Sequence, residues 1–172
     1  MSRCQVGPFK KMKSTHFSPD TLEFMSLLYE FRVRYLIVGG EAVIYYGHAR
    51  LTGDVDFFYA REEANAGNMY KAIHAFWDGA IPGDITVKDL MQAGVIIQFG
   101  QPPNRIDIIN TITGVTFDEA WAGRRTEKLS MKRKRFPVYI LGLEHLRKNK
   151  KATGRYKDLE DLRYLNGIGR TD

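Results

Sequence analysis

The chain has 172 residues, 44% of them hydrophobic and 12% aromatic, with a formal net charge of +6. That is enough apolar material for one core and too little length for two full domains, and no apolar run approaches the ~20 residues of a membrane span. A single cysteine, Cys4, excludes an internal disulfide and a cysteine-rich zinc site, and fits a reducing, cytoplasmic setting.

The opening "MSRCQVGPFKKMK" is basic with no apolar segment behind it, so no secretory signal is expected and residues 1–16 read as a flexible basic tail. In "FSPDTLEFMSLLYEF", Ser18 stands as N-cap and Pro19 at the first helical position. Phe24, Leu27, Leu28 and Phe31 then recur at i, i+3, i+4 and i+7, which predicts an amphipathic helix. "RYLIVGG" reads as a buried strand ending in glycine, "EAVIYYG" as a short helix stopped by Gly47, and "DVDFFY" as a second strand. "EEANAGNMYKAIHAFW" is a helix with Met69, Ala72, Ile73 and Phe76 on its core side. "GVIIQFG" and "RIDIIN" are strands joined through "QPPN", where Pro102 and Pro103 enforce a turn. "TFDEAWA" is a brief helix. "RTEKLSM" and "RFPVYI" are strands flanking the basic run Lys132 to Arg135, and "LGLEHLRKNKKA" and "YKDLEDLRYLNG" are two closing helices. The expected architecture is a single α/β (α+β) domain, a mixed β-sheet flanked by helices, with a core over 17–140 and closing helices over 141–168.

Charge is unevenly distributed. Residues 16–115 carry 7 Lys and Arg against 12 Asp and Glu, whereas windows 124–135 and 147–157 hold 13 of the 26 basic residues. An acidic front half followed by basic clusters suits a site that grips phosphates through bound cations.

Two aspartates interrupt the strand "DVDFFY". Strand side chains alternate between faces, so Asp54 and Asp56 share one face while Val55 and Phe57 feed the other. Two close carboxylates require a cation or a shared proton. "RIDII" repeats the device, with Ile106 and Ile108 inward and Asp107 outward. With the two strands as neighbours, three carboxylates converge, and an all-oxygen ligand set favours Mg²⁺ or Mn²⁺. Gly39 and Gly40 end a strand and begin a helix, so free backbone N–H groups face whatever sits there and a phosphate can approach closely. Arg50 precedes the aspartate pair and either faces phosphate or forms a structural salt bridge. His48 reads as local structure. No hydrolase nucleophile motif and no zinc-binding histidine spacing occurs.

These residues resemble the nucleotidyltransferase superfamily with the DNA polymerase β-like fold. Its pattern of a hydrophobic–Gly–Gly/Ser turn, D-h-[DE]-h and a distant h-[DE]-h is met by Val38-Gly39-Gly40, then thirteen residues, then Asp54-Val55-Asp56-Phe57, and by Ile106-Asp107-Ile108. The ending "LGLEHLRKNKKATGRYKDLEDLRYL" is similar to the branch that contains the abortive-infection (AbiEii-like) toxins and, more distantly, the antibiotic nucleotidyltransferases. The resemblance implies that Gly39 and Gly40 hold the nucleotide triphosphate and that Asp54 and Asp56 bind the metals. It gives Asp107 the second metal position and a part in activating the acceptor hydroxyl, and it places Lys150 and Arg155 within reach of the phosphates. Lys157, Asp158 and Asp161 match the closing motif too. Glu41 departs from the small or hydroxyl residue usual after the second glycine.

The expected function is transfer of a nucleoside monophosphate from an NTP to an acceptor, which is a small molecule, a protein hydroxyl or an RNA end. The branch also implies a toxin with an antitoxin protein as partner. The alternatives are a non-catalytic nucleotide- or partner-binding module on the same fold and a plain nucleic-acid-binding protein, which would leave the strand aspartates unexplained.

Overall fold

The computed structural model describes residues 11–168. Their strands are β1 (Tyr35–Val38), β2 (Asp54–Tyr59), β3 (Ile96–Phe99), β4 (Arg105–Ile109), β5 (Arg125–Met131) and β6 (Lys134–Ile140). Their helices are α1 (Pro19–Glu30), α2 (Gly39–Tyr45), α3 (Glu63–Phe76), α4 (Val87–Met91), α5 (Phe117–Ala122), α6 (Leu143–Thr153) and α7 (Tyr156–Gly167). The strands form one mixed sheet in the order β3-β4-β2-β1-β6-β5. The β1–β2, β3–β4 and β5–β6 pairs are antiparallel, while β1–β6 and β2–β4 are parallel. No described helix is long and apolar enough to cross a membrane.

Local chemistry accounts for the helix starts. The Ser18 hydroxyl accepts from the Thr21 amide at 3.2 Å, with Pro19 behind it at the first helical position. Helix α4, which has no clear sequence period, begins in a capping box between Thr86 and Asp89. Gly154 ends α6 in the left-handed region at φ +66.

Alternation in the strands sorts side chains as expected. Phe57 is fully buried and meets Phe24 of α1 edge-on at 5.4 Å, and Tyr35 lies at 5.6 Å from the same ring. Ile106 and Ile108 are buried on that side as well. The opposite face carries Asp54, Asp56, Arg105 and Asp107, because Asp54 pairs with Arg105 and Asp56 with Asp107 across β2 and β4. Helix α2 packs on β1, β2 and α6, which sets the closing helices beside that polar face.

Of the tail expected over 1–16, residues 1–10 lie outside the described residues. Residues 11–16 are packed: Met12 is buried, the Ser14 hydroxyl accepts from the Ser130 amide at 2.8 Å, and His16 pairs with Glu41 at 2.9 Å. The apolar Met12 and the Ser14 hydroxyl on the edge of β5, short of any periodic pattern, are what tie this segment down.

Candidate active site

A cleft of about 600 Å³ opens on the polar face of the sheet. Its lining includes Gly39, Gly40, Arg50, Asp54, Asp56, Asp107, Lys150 and Arg155, so the residues expected to hold metal and triphosphate border one space, with Lys157 and Asp158 of the closing motif, while Asp161 and His48 do not line it. One carboxylate oxygen each from Asp54, Asp56 and Asp107 lies within 4.8 Å of the others. Asp107 is buried and the other two are half-buried.

The sheet sets this spacing. Parallel register puts Asp56 directly beside Asp107, and the two-residue repeat puts Asp54 on the same face one step along. Three anionic groups so close repel one another, and burial adds to the cost of charge. Burial foremost, then Asp54 and Asp107, push the Asp56 carboxyl up to about 7, with Lys150 and Arg105 opposing. No side chain among the described residues donates a hydrogen bond to Asp56.

The other two carboxylates share one cation, a residue the sequence reading passed over. Arg105 reaches Asp54 Oδ2 through Nη2 at 2.7 Å, Asp107 Oδ1 through Nε at 2.7 Å and Asp107 Oδ2 through Nη2 at 2.9 Å. Gln98 on β3 donates to Asp107 Oδ2 at 3.0 Å, and the Thr52 hydroxyl donates to Asp54 Oδ1 at 3.1 Å. The signal was present: in "RIDII" the alternation that points Asp107 outward points Arg105 the same way.

The two glycines have steric duties. A Cβ on Gly39, whose φ is +61, would lie 2.0 Å from Asp56 Oδ2, so only glycine leaves that carboxylate room. A Cβ on Gly40 would come within 2.8 Å of the Thr52 hydroxyl. Glu41 does not line the cleft. Burial raises its carboxyl, against the pull of His16 at 2.9 Å, and it lines a separate pocket with His16, Ile44 and Tyr45.

Arg50, Lys150 and Arg155 line the cleft, but not as free cations. Lys150 is only 4% exposed, with its ammonium 2.8 Å from Asp158 and 2.9 Å from Asp161. Arg50 forms its salt bridge with the same Asp161, and Arg155 holds Asp158 at 2.7 Å. Burial alone would raise the Asp158 carboxyl, yet hydrogen bonds from Arg155 and Lys150 outweigh it and hold it below its ordinary range. Asp158 and Asp161 thus clamp α6, α7 and the Arg50 loop together. His48 stacks on Tyr164 with ring centroids 4.5 Å apart, a packing role that ties the loop after α2 to α7.

Only one basic cluster reaches the cleft. Of the run Lys132–Arg135, Lys132 and Arg133 form the turn of the β5–β6 hairpin and Lys134 and Arg135 open β6. Ile140, not Lys134, is level with the site-proximal Ile37, which places that turn about 20 Å along β6 at the far end of the sheet. No protein-family model matches the chain, and comparison with curated proteins finds no match.

Proposed function

We propose that this chain is a metal-dependent nucleotidyltransferase of the DNA polymerase β-like superfamily, moving a nucleoside monophosphate from an NTP to an acceptor with release of pyrophosphate. The observation that carries this reading is the convergence of Asp54, Asp56 and Asp107 from two neighbouring strands, one oxygen each within 4.8 Å, on a cleft shared with Gly39 and Gly40.

The residues fit a divalent ion. All three donors are carboxylates, the set that suits Mg²⁺ or Mn²⁺. A guanidinium already stands among them as a cation, and the missing Cβ of Gly39 keeps Asp56 Oδ2 clear. When bound, such ions stabilise the attacking and leaving oxygens of an in-line displacement at phosphorus. The protein's part is positioning and charge. Asp54, Asp56 and Asp107 hold the cation, and Gly39 and Gly40 leave the backbone open to the triphosphate. Arg155, with its side chain 75% exposed at the cleft, faces the phosphates. The resemblance assigns the acceptor's proton to Asp107 and supplies the toxin role and the antitoxin partner.

The test is incubation of the full chain with each α-labelled NTP, Mg²⁺ and cell extract, following label and pyrophosphate together. Label should enter an acceptor with matching pyrophosphate, and both should vanish in Asp56→Asn. Saturable Mn²⁺ and nucleotide binding without label or pyrophosphate, for any NTP, would leave the non-catalytic binding module.

A further inference from the structure

We infer that Arg105 is a built-in counter-cation of the carboxylate site, competing with the divalent ion and setting the concentration at which that ion enters. The inference rests on the metal reading given above, and it concerns a residue that neither the motif nor the resemblance assigned.

The geometry is that of one cation shared by two ligands. The guanidinium bridges Asp54 on β2 and Asp107 on β4, with contacts of 2.7 to 2.9 Å. With Thr52 on Asp54 Oδ1 and Gln98 on Asp107 Oδ2, every oxygen of these two carboxylates already accepts a side-chain hydrogen bond. A magnesium ion ligates oxygen at about 2.0–2.1 Å. An ion bound to these oxygens would therefore share them with a guanidinium whose nitrogens stand no more than about 5 Å from it, and like charges at that range repel.

A second contrast separates Arg105 from the other cations of the cleft. Lys150 is sealed, with its side chain 5% exposed between two buried aspartates, and its departure would take from each the buried one of its cations. The Arg105 side chain is 27% exposed, and its carboxylate partners are the very groups an incoming ion would neutralise in its place. Asp56, the one carboxylate of the trio with no side-chain hydrogen-bond donor among the described residues, is then the first foothold for the ion, and displacement of the guanidinium from Asp54 and Asp107 completes the site. Arg105 is in this sense a positioning residue: it keeps the trio assembled without metal and yields to it.

The experiment is Mn²⁺ binding by calorimetry and by the electron paramagnetic resonance of free Mn²⁺, on the full wild-type chain, Arg105→Gln and Arg105→Lys, with folding checked by melting in EDTA. Arg105→Gln should bind Mn²⁺ at least about tenfold more tightly than wild type, with Arg105→Lys between them. In ¹⁵N-labelled wild type, the Arg105 Nε–H signal should shift along a Mg²⁺ titration with the midpoint of ion binding, a readout that survives even if the glutamine variant fails to fold. Equal or weaker Mn²⁺ binding by a folded Arg105→Gln overturns the inference, as does an unmoved Nε–H signal at saturating Mg²⁺. If wild type binds Mn²⁺ and transfers nucleotide while the variants bind no more tightly, only the role of Arg105 fails. If neither wild type nor variants bind Mn²⁺, the metal reading fails with it.

Discussion

Replacing Asp56 by asparagine should raise the stability of the metal-free protein while abolishing the nucleotidyl transfer proposed for it. Asparagine preserves size and shape but not charge. In the folded chain the Asp56 carboxyl is pushed from its ordinary 3.8 up to about 7, first by burial and then by Asp54 and Asp107. A folded pKa above the unfolded one means the native state binds the proton more tightly. Its stabilising effect is complete below the unfolded value and is lost as pH rises through the folded value. The ionised Asp56 therefore works against folding above about pH 7, with a ceiling of roughly 4 kcal/mol at about 1.36 kcal/mol per pH unit. Asparagine escapes that cost, so the gain of Asp56→Asn should be about 1–2 kcal/mol at pH 5 and about 3–4 kcal/mol at pH 8. In a chain of this size that is a rise of roughly 6–16 °C in melting temperature at pH 8. Urea unfolding in EDTA at the two pH values measures it directly. Saturating Mn²⁺ should reverse the order, since the ion stabilises whichever chain binds it. An equal gain at both pH values, or a variant that is less stable than wild type in EDTA at pH 8, would refute the electrostatic account of this residue.

Two other substitutions test the surroundings of the trio. Lys150→Met removes the buried ammonium that Asp158 and Asp161 share, and leaving these buried carboxylates with Arg155 and Arg50 as their remaining partners should cost up to about 3–5 kcal/mol in urea unfolding; a loss under about 1 kcal/mol would mean the network is not holding α6 and α7. Gly39→Ala puts a methyl 2.0 Å from Asp56 Oδ2 at a backbone φ of +61, so it should cost about 1–2 kcal/mol of backbone strain and weaken Mn²⁺ binding at least tenfold. Gly40→Ala, facing the rotatable Thr52 hydroxyl, should weaken it less, and the reverse ranking would contradict the steric reading.

Much of this architecture was legible because it depends on short-range rules. Alternation in "DVDFFY" and "RIDII" placed Asp54, Asp56 and Asp107 on one face, and register between β2 and β4 then brought them together. The cap at Ser18 and the glycine turn at Val38-Gly39 were equally local. What escaped was long-range pairing. Nothing within a few residues of Lys150 shows that its charge is buried between Asp158 and Asp161, so the expectation of a phosphate-facing lysine missed its structural duty. Likewise α4 rests on a capping box and on Leu90, which is buried beneath Tyr59, whose hydroxyl donates to the Leu90 carbonyl at 2.8 Å; five residues are too few to show a helical period. Arg105 is a different case. The alternation rule already placed it beside the carboxylates, and attention to acids alone left it unread.

The two basic windows also look different once folded, and the difference bears on how a triphosphate would enter. The hairpin run Lys132–Arg135 lies at the far end of the sheet, so it adds nothing at short range to the cleft. Within the cleft, Arg50, Arg105, Lys150, Arg155 and Lys157 face Asp54, Asp56, Asp107 and Asp158, and Asp161 pairs with two of those cations from just behind. Positive and negative groups therefore nearly cancel, and the metal-free cleft offers a polyanion little net attraction. A divalent ion changes that balance in two ways, by its own charge and by releasing Arg105 from the carboxylates it neutralises. Nucleotide should accordingly bind with or after the ion, and titration of a fluorescent NTP should show weak affinity in EDTA that rises at least about tenfold with saturating Mg²⁺. Equal affinity with and without Mg²⁺ would mean that the protein's own cations carry the triphosphate, and the trio of aspartates would then need another explanation.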